Sequence, residues 1–343
     1  MHGHFVALGL FVVVAAAASS NVGGRLDQEK WKLIDEKGVE HEVAGTRLHF
    51  AAAYNQEALV LRLLASGAES AAARDSENGA TPLHAAAWFG ATRALIALLY
   101  DVASVETTTP TSGTQPTRPT LAPGADALLE MRDHAGQTAL HYAARSGKRD
   151  AVRQLLMAGA QARALSRRGE TPLYLAAAAG HASTCAMLAR AAPDTLELAL
   201  PAPLGATPLM AAAAGGHVAA VDVLLEAGAC ATCSITASEE KQGPLGVRSF
   251  ETTWTPLHAA AQSGAVGAID ALLEAGADPR TQNAQGMTAL HSAVAANQQQ
   301  AYGALLRSPQ GAAASKLRDS EGHTPLELAA HLGYTVLERD VSK

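Results

Sequence analysis

Five histidines, His49, His84, His141, His258 and His291, each stand three residues after a threonine. Imidazoles ligate metals and transfer protons near neutral pH, so such a set first suggests a metal centre or an acid–base site. Three further copies of the same segment place Tyr174, Met210 and Glu327 at that position. A catalytic or metal set would not change residue type so freely between copies, so the position reads as structural. Cys230-Ala-Thr-Cys233 has the spacing of half a zinc site or of a redox pair. No second pair and no nearby histidine complete a zinc site, and no strand–helix context supports redox catalysis. The pair reads as a coincidence within a loop, with a local disulfide as the alternative. Cys185 falls in a helix and reads as a small core residue. No phosphate-cradling glycine motif, H-E-x-x-H or G-x-S-x-G occurs. The chain is therefore expected to be no enzyme, with no cofactor and no metal.

The elements that carry these residues are repetitive. A block reads T-R-L-H-F-A-A from Thr46, T-P-L-H-A-A-A from Thr81 and T-A-L-H-Y-A-A from Thr138. It recurs from Thr171, Thr207, Thr255, Thr288 and Thr324, the threonines lying 35, 57, 33, 36, 48, 33 and 36 residues apart. The two long gaps are one period plus an insertion. Each threonine can cap a helix with its hydroxyl, and the proline that follows in five copies suits the first helical position, where an N–H has no partner. The leucine and paired alanines face a packing surface, and small alanines let neighbouring helices approach closely. A glycine or asparagine then ends the helix, as at Asn55, Gly90, Gly180 and Asn297. A second helix follows with apolar residues at helical spacing, for example Val152, Leu155 and Leu156.

These eight blocks resemble the ankyrin repeat, whose period is about 33 residues with a T-P-L-H-x-A signature. The resemblance implies an all-α repeat solenoid of helix–turn–helix units joined by β-turns, and it covers the chain from about Val39 onward. It also implies that the histidines bond around the turn and the threonine. One unit cannot bury its apolar face alone, so the copies must stack. An ankyrin partner lies along the turn tips and the concave face of the first helices. By register the exposed first-helix positions are Phe50, Tyr54, Trp88, Phe89, Tyr142, Arg145, Leu175 and Gln262. Aromatic and arginine side chains anchor interfaces. Only 4% of the chain is aromatic, yet the first three copies hold five of these residues. Each is expected either to contact a partner or to fill a gap between helices. The turn-tip charges Arg74, Asp75, Arg132, Asp133, Arg167, Arg168, Arg280 and Asp319 are expected to be mostly solvated.

The remaining sequence sets boundaries. Of 343 residues 48% are hydrophobic, largely alanine and leucine, and the net charge is -6 without a basic run, which argues against nucleic acid. Residues 5–18 form an unbroken apolar run, and Ala16, Ala17 and Ala18 offer small residues for cleavage. The run suits a signal peptide over 1–24, although no Lys or Arg precedes it; the alternative is a buried or fraying helix. No stable membrane span is expected in the mature chain. Residues 25–45 read as an N-terminal cap, with a helix expected over 28–37. The array spans 46–343. It is broken by a Thr/Pro-rich insertion at 105–124, expected to be disordered, and by a loop insertion at 230–253. The second helix of the last copy is expected near Val336 and Leu337.

The reading of function is a monomeric scaffold or adaptor that binds another protein. One alternative is the substrate-recognition subunit of a ubiquitin-ligase complex, which calls for a recruiting module beside the repeats. A second is a secreted or lumenal binding protein, if the signal peptide is cleaved; otherwise the chain is expected in the cytoplasm.

Overall fold

The computed structural model describes residues 31–34, 40–43, 45–67, 69–100, 120–199, 205–233 and 254–334. The expected signal peptide, most of the 105–124 insertion, the stretch 234–253 and the expected helix near Val336 lie outside these residues. The chain divides into two compact units, residues 1–143 with 148–161, and residues 144–147 with 162–343.

In the first unit, strands β1 (Trp31–Ile34) and β2 (Glu40–Val43) pair antiparallel, with Trp31 opposite Val43 and Ile34 opposite Glu40. The helix expected over 28–37 is thus replaced by a strand. Its partner strand Glu40–Val43 supplies the backbone pairing, and Gly38 falls in the sequence between them. Helix pairs follow: α1 (Arg47–Ala53) with α2 (Glu57–Ala65), and α3 (Pro82–Phe89) with α4 (Thr92–Leu99). First helices pack on first helices and second on second. Residues 120–124 were expected within a disordered insertion. Here Leu121 pairs with Tyr100, and the Ala122 amide donates to the Leu99 carbonyl at 2.9 Å. That contact leads into a short helix, α5 (Ala125–Leu129). Helices α6 (Ala139–Arg145) and α7 (Arg149–Met157) form the third pair.

The second unit continues with α8 (Pro172–Ala178), α9 (Ala182–Ala191), α10 (Pro208–Ala214) and α11 (Val218–Glu226). Beyond the insertion come α12 (Pro256–Ser263), α13 (Val266–Glu274), α14 (Ala289–Ala295) and α15 (Gln299–Leu306). An extra helix, α16 (Pro309–Ala314), precedes α17 (Pro325–His331). Ser308 caps α16 by accepting the Gly311 amide at 3.0 Å, with Pro309 at its first position.

The core follows the repeat register. Leu48, Leu83, Leu140, Leu173, Leu209, Leu257 and Leu290 are at most 1% exposed, and the paired alanines behind them are buried. Val60, Leu95, Val152, Cys185, Val221 and Ile269 are the buried centres of the second helices. Cys185 occupies the register of Val152 and Val221. Replacing one of these leucines by alanine would cost about 2–5 kcal/mol.

Inside the second unit a further seam ties copies together at the ends of first helices. His181 Nε2 bonds the Arg145 carbonyl at 3.1 Å, and His217 Nε2 bonds the Ala178 carbonyl at 3.2 Å. These rings lie over helix-ending glycines. Gly180 has φ +76°, and a Cβ there would sit 2.5 Å from His217 Nδ1. Gly180→Ala should therefore displace the His217 ring and strain the backbone, lowering stability by about 1–3 kcal/mol in urea unfolding. An unchanged midpoint would mean that this seam holds nothing.

Candidate protein-binding surface

The first helices are positioned by their start. The amides of Thr46, Thr81, Thr138 and Thr288 donate to Nδ1 of His49, His84, His141 and His291 at 3.1–3.2 Å. The threonine hydroxyls lie 2.7–3.1 Å from Nδ1 of the five histidines. The other ring nitrogen reaches the next copy. Nε2 of His49, His84, His258 and His291 is 3.0 Å from the carbonyls of Ala80, Gln137, Met287 and His323. Each acceptor immediately precedes the next capping threonine. A carbonyl only accepts, so Nε2 carries the proton and Nδ1 is bare to receive the threonine amide. Both nitrogens of these rings are occupied by structural bonds. Copy eight does the same local work with a carboxylate: the Thr324 amide donates to Glu327 at 2.7 Å, and Arg318 bonds Glu327 at 2.6 Å. The Thr324 amide, joined by Arg318, holds the Glu327 carboxyl below the usual range.

The turn tips are built from side chains rather than merely decorated by them. Asp75 Oδ1 accepts the amides of Glu77, Asn78 and Gly79 at 2.6–3.1 Å. Asn283 and Asp319 serve their own turns alike. Arg74 donates to the carbonyls of Gly79 and Arg132, joining two turns. The expectation of solvated charges therefore fails for Arg74, Asp75, Asp133 and Asp319, because an exposed turn leaves backbone amides that a carboxylate can satisfy. Arg280 pairs with Asp278 at 2.8 Å. The side chains of Arg167 and Arg168 are exposed.

The aromatic candidates divide. In the first unit Phe50 and Tyr54 stack tilted at 4.2 Å, and Tyr54 and Phe89 pack with Ala85 against buried Ala53. Tyr54 and Phe89 thus join the first two copies, with Phe50 stacked on Tyr54. Trp88 and Tyr142 form a second group, edge to face at 6.0 Å and 74°. Tyr142 also meets His84 edge-on at 5.1 Å, and its hydroxyl donates to Asp133 Oδ2 at 2.9 Å. Asp133 Oδ1 accepts the Gln137 amide at 2.7 Å. Trp88 and Tyr142 are half-buried, so part of each ring remains open to solvent.

In the second unit Arg145 and Gln262 are exposed. Leu175 is only 6% exposed and is not a surface residue. It shares its register with Tyr142. A leucine has no polar tip to keep satisfied and gains from complete burial, whereas a tyrosine must find a partner for its hydroxyl. The disulfide alternative for Cys230 and Cys233 is what the structure contains: the two sulfurs are bonded.

The fold and this surface define a helix–turn–helix repeat protein with a first-helix face. Comparison with known proteins makes that specific. Models of ankyrin repeats match residues 48–99, 120–197, 191–283 and 257–338. The ankyrin repeat domain of human ASB11, known from its crystal structure, is similar with a TM-score of 0.55 and 26% sequence identity, over 77% of this chain and 98% of that one. The chain belongs to the ankyrin-repeat family. Arrays of this kind act as protein-binding scaffolds through extended surfaces.

Burial lowers the pKa of His49, His84, His258 and His291, that of His258 to about 4 from 6.5. The unfolded chain takes up a proton below 6.5 while folded His258 does not. Its stabilisation is therefore complete above pH 6.5 and is lost as pH falls toward 4. Lowering pH from 7 to 5 should remove about 2 kcal/mol through His258 alone. His258→Ala should cost about 2–4 kcal/mol at pH 7 and flatten that pH slope. Urea unfolding at both pH values checks it; an equal slope in the variant would refute the assignment.

Proposed function

We propose that this chain is a protein-binding adaptor and that Trp88 and Tyr142 anchor its partner. The carrying observation is that these rings meet edge to face while staying partly open, with Tyr142 fixed through Asp133 and His84. A preorganised aromatic pair loses little conformational freedom on binding. Phe50, Tyr54 and Phe89 serve packing between copies more than contact. Arg145 and Gln262 are the candidates offered by the second unit.

We also propose that the protein enters the secretory pathway. The apolar run over residues 5–18 and the Cys230–Cys233 disulfide support this, since disulfides persist in oxidising compartments.

Proximity labelling with the full chain would identify the partner. Trp88→Ala should then weaken its binding by about 2 kcal/mol, roughly thirtyfold in Kd, with circular dichroism unchanged. Unaltered affinity in the Trp88→Ala/Tyr142→Ala variant would discard this surface. Sequencing the N-terminus of protein made in a secretion-competent cell should find the segment before about Ser19 removed; a retained Met1 would end the secretory proposal.

A further inference from the structure

We propose that the Cys230–Cys233 pair is a reversible thiol–disulfide exchange site that controls the turn after α11. The pair closes a small ring, three residues apart with Cα atoms at 5.4 Å. So short a ring restrains the unfolded chain far less than a long loop does, so opening it leaves the overall fold standing. Cys233 is exposed and Cys230 half-buried, giving a reductant access. Exposed disulfides are the labile ones.

The next copy shows what the bond does. Residues 276–281 repeat the register of 228–233. There Asp278 Oδ1 accepts the Arg280 amide at 2.9 Å, and the guanidinium donates to the same carboxylate at 2.8–3.2 Å. In copy five a cysteine stands in place of that carboxylate, and the disulfide closes the turn from there to the position one beyond the arginine's register. A turn that copy six closes electrostatically is closed covalently here. The closed turn also presents the Cys230 amide, which donates to Glu197 Oε1 at 2.7 Å. Glu197 belongs to the preceding turn and adjoins Leu198, an apolar side chain 40% exposed. The redox state of the pair thus sets whether two neighbouring tips are joined.

The co-reactant is a dithiol. One of its thiolates attacks a cysteine sulfur, forming a mixed disulfide and releasing the other cysteine as a thiolate, which takes a proton. The second thiolate of the reagent then closes the reagent's own disulfide and frees the remaining cysteine. Two electrons and two protons pass to the pair. Cys185 takes no part: it is fully buried, and burial pushes its thiol pKa up to about 12.

The test uses the full chain purified without reductant. It is treated with dithiothreitol under native conditions, alkylated with iodoacetamide and digested for mass spectrometry. Cys230 and Cys233 should both be labelled while Cys185 stays free of label. If the pair reacts only when Cys185 does, on unfolding, it is no exchange site. Hydrogen exchange of the Cys230 amide should then quicken about tenfold in the reduced chain and equally in Cys230→Ser/Cys233→Ser, as expected on losing one amide–carboxylate bond. Exchange unchanged by reduction would show that the disulfide does not control the turn.

Discussion

The constraint on which the array depends is a neutral imidazole held at both nitrogens. One nitrogen accepts the amide of the capping threonine, and the other donates to the carbonyl just before the next copy's cap. A single side chain thereby fixes the start of its own helix and the height of the following one. These rings are buried, where an unpaired polar atom costs about 1–3 kcal/mol. The geometry must be met or the ring must leave the core. Threonine, leucine and the paired alanines follow from it: the first supplies the hydroxyl and amide, the second fills the core, and the last allow helices close enough for the imidazole to span.

That economy shapes the surface. Trp88 and Tyr142 lie at the first-helix face, half-buried, where Tyr142 finds Asp133 for its hydroxyl. In the second unit, three of the corresponding first-helix positions hold exposed alanines, Ala178, Ala214 and Ala295. The turns, meanwhile, consume much of their charge. Asp75 and Asp133 are buried against backbone amides, and Arg74 is tied to two carbonyls. What remains to recognise a partner is the set of side chains that no turn or core position requires.

This distinction explains what the sequence conveys and what it hides. Capping threonines, core leucines and helix-ending glycines recur with the period, so repetition reveals them and the histidines' structural role. Non-repeating features have no such support. The strand Trp31–Ile34 was hidden because Trp31, Leu33 and Ile34 also fit a helix face, and its partner Glu40-His-Glu-Val43 has no period-two alternation to reveal the pairing. Leu121 sits at the end of a Thr/Pro-rich stretch whose composition masks its contact with Tyr100. Helix α16 occupies an interval that the period leaves unassigned. Leu175 shares its register with Tyr142, yet one is buried and the other half-open, because register fixes direction and side-chain chemistry decides depth.

Departures from the repeat are where the array is held differently. Tyr174 and Met210 stand where the linking histidines would be, and methionine donates no hydrogen bond. His217 restores a tie from copy five back to copy four through the Ala178 carbonyl, moving the imidazole from helix start to helix end. Between copies five and six neither device is available, since Met210 occupies the first position and Ala265 the second. There the described residues meet through apolar packing of α10 on α12 and α11 on α13. Packing is less directional than a bonded imidazole and accepts a longer connection without losing a required partner. The 230–253 insertion falls in the sequence between these copies, the one link of the second unit that no histidine bond fixes among the described residues.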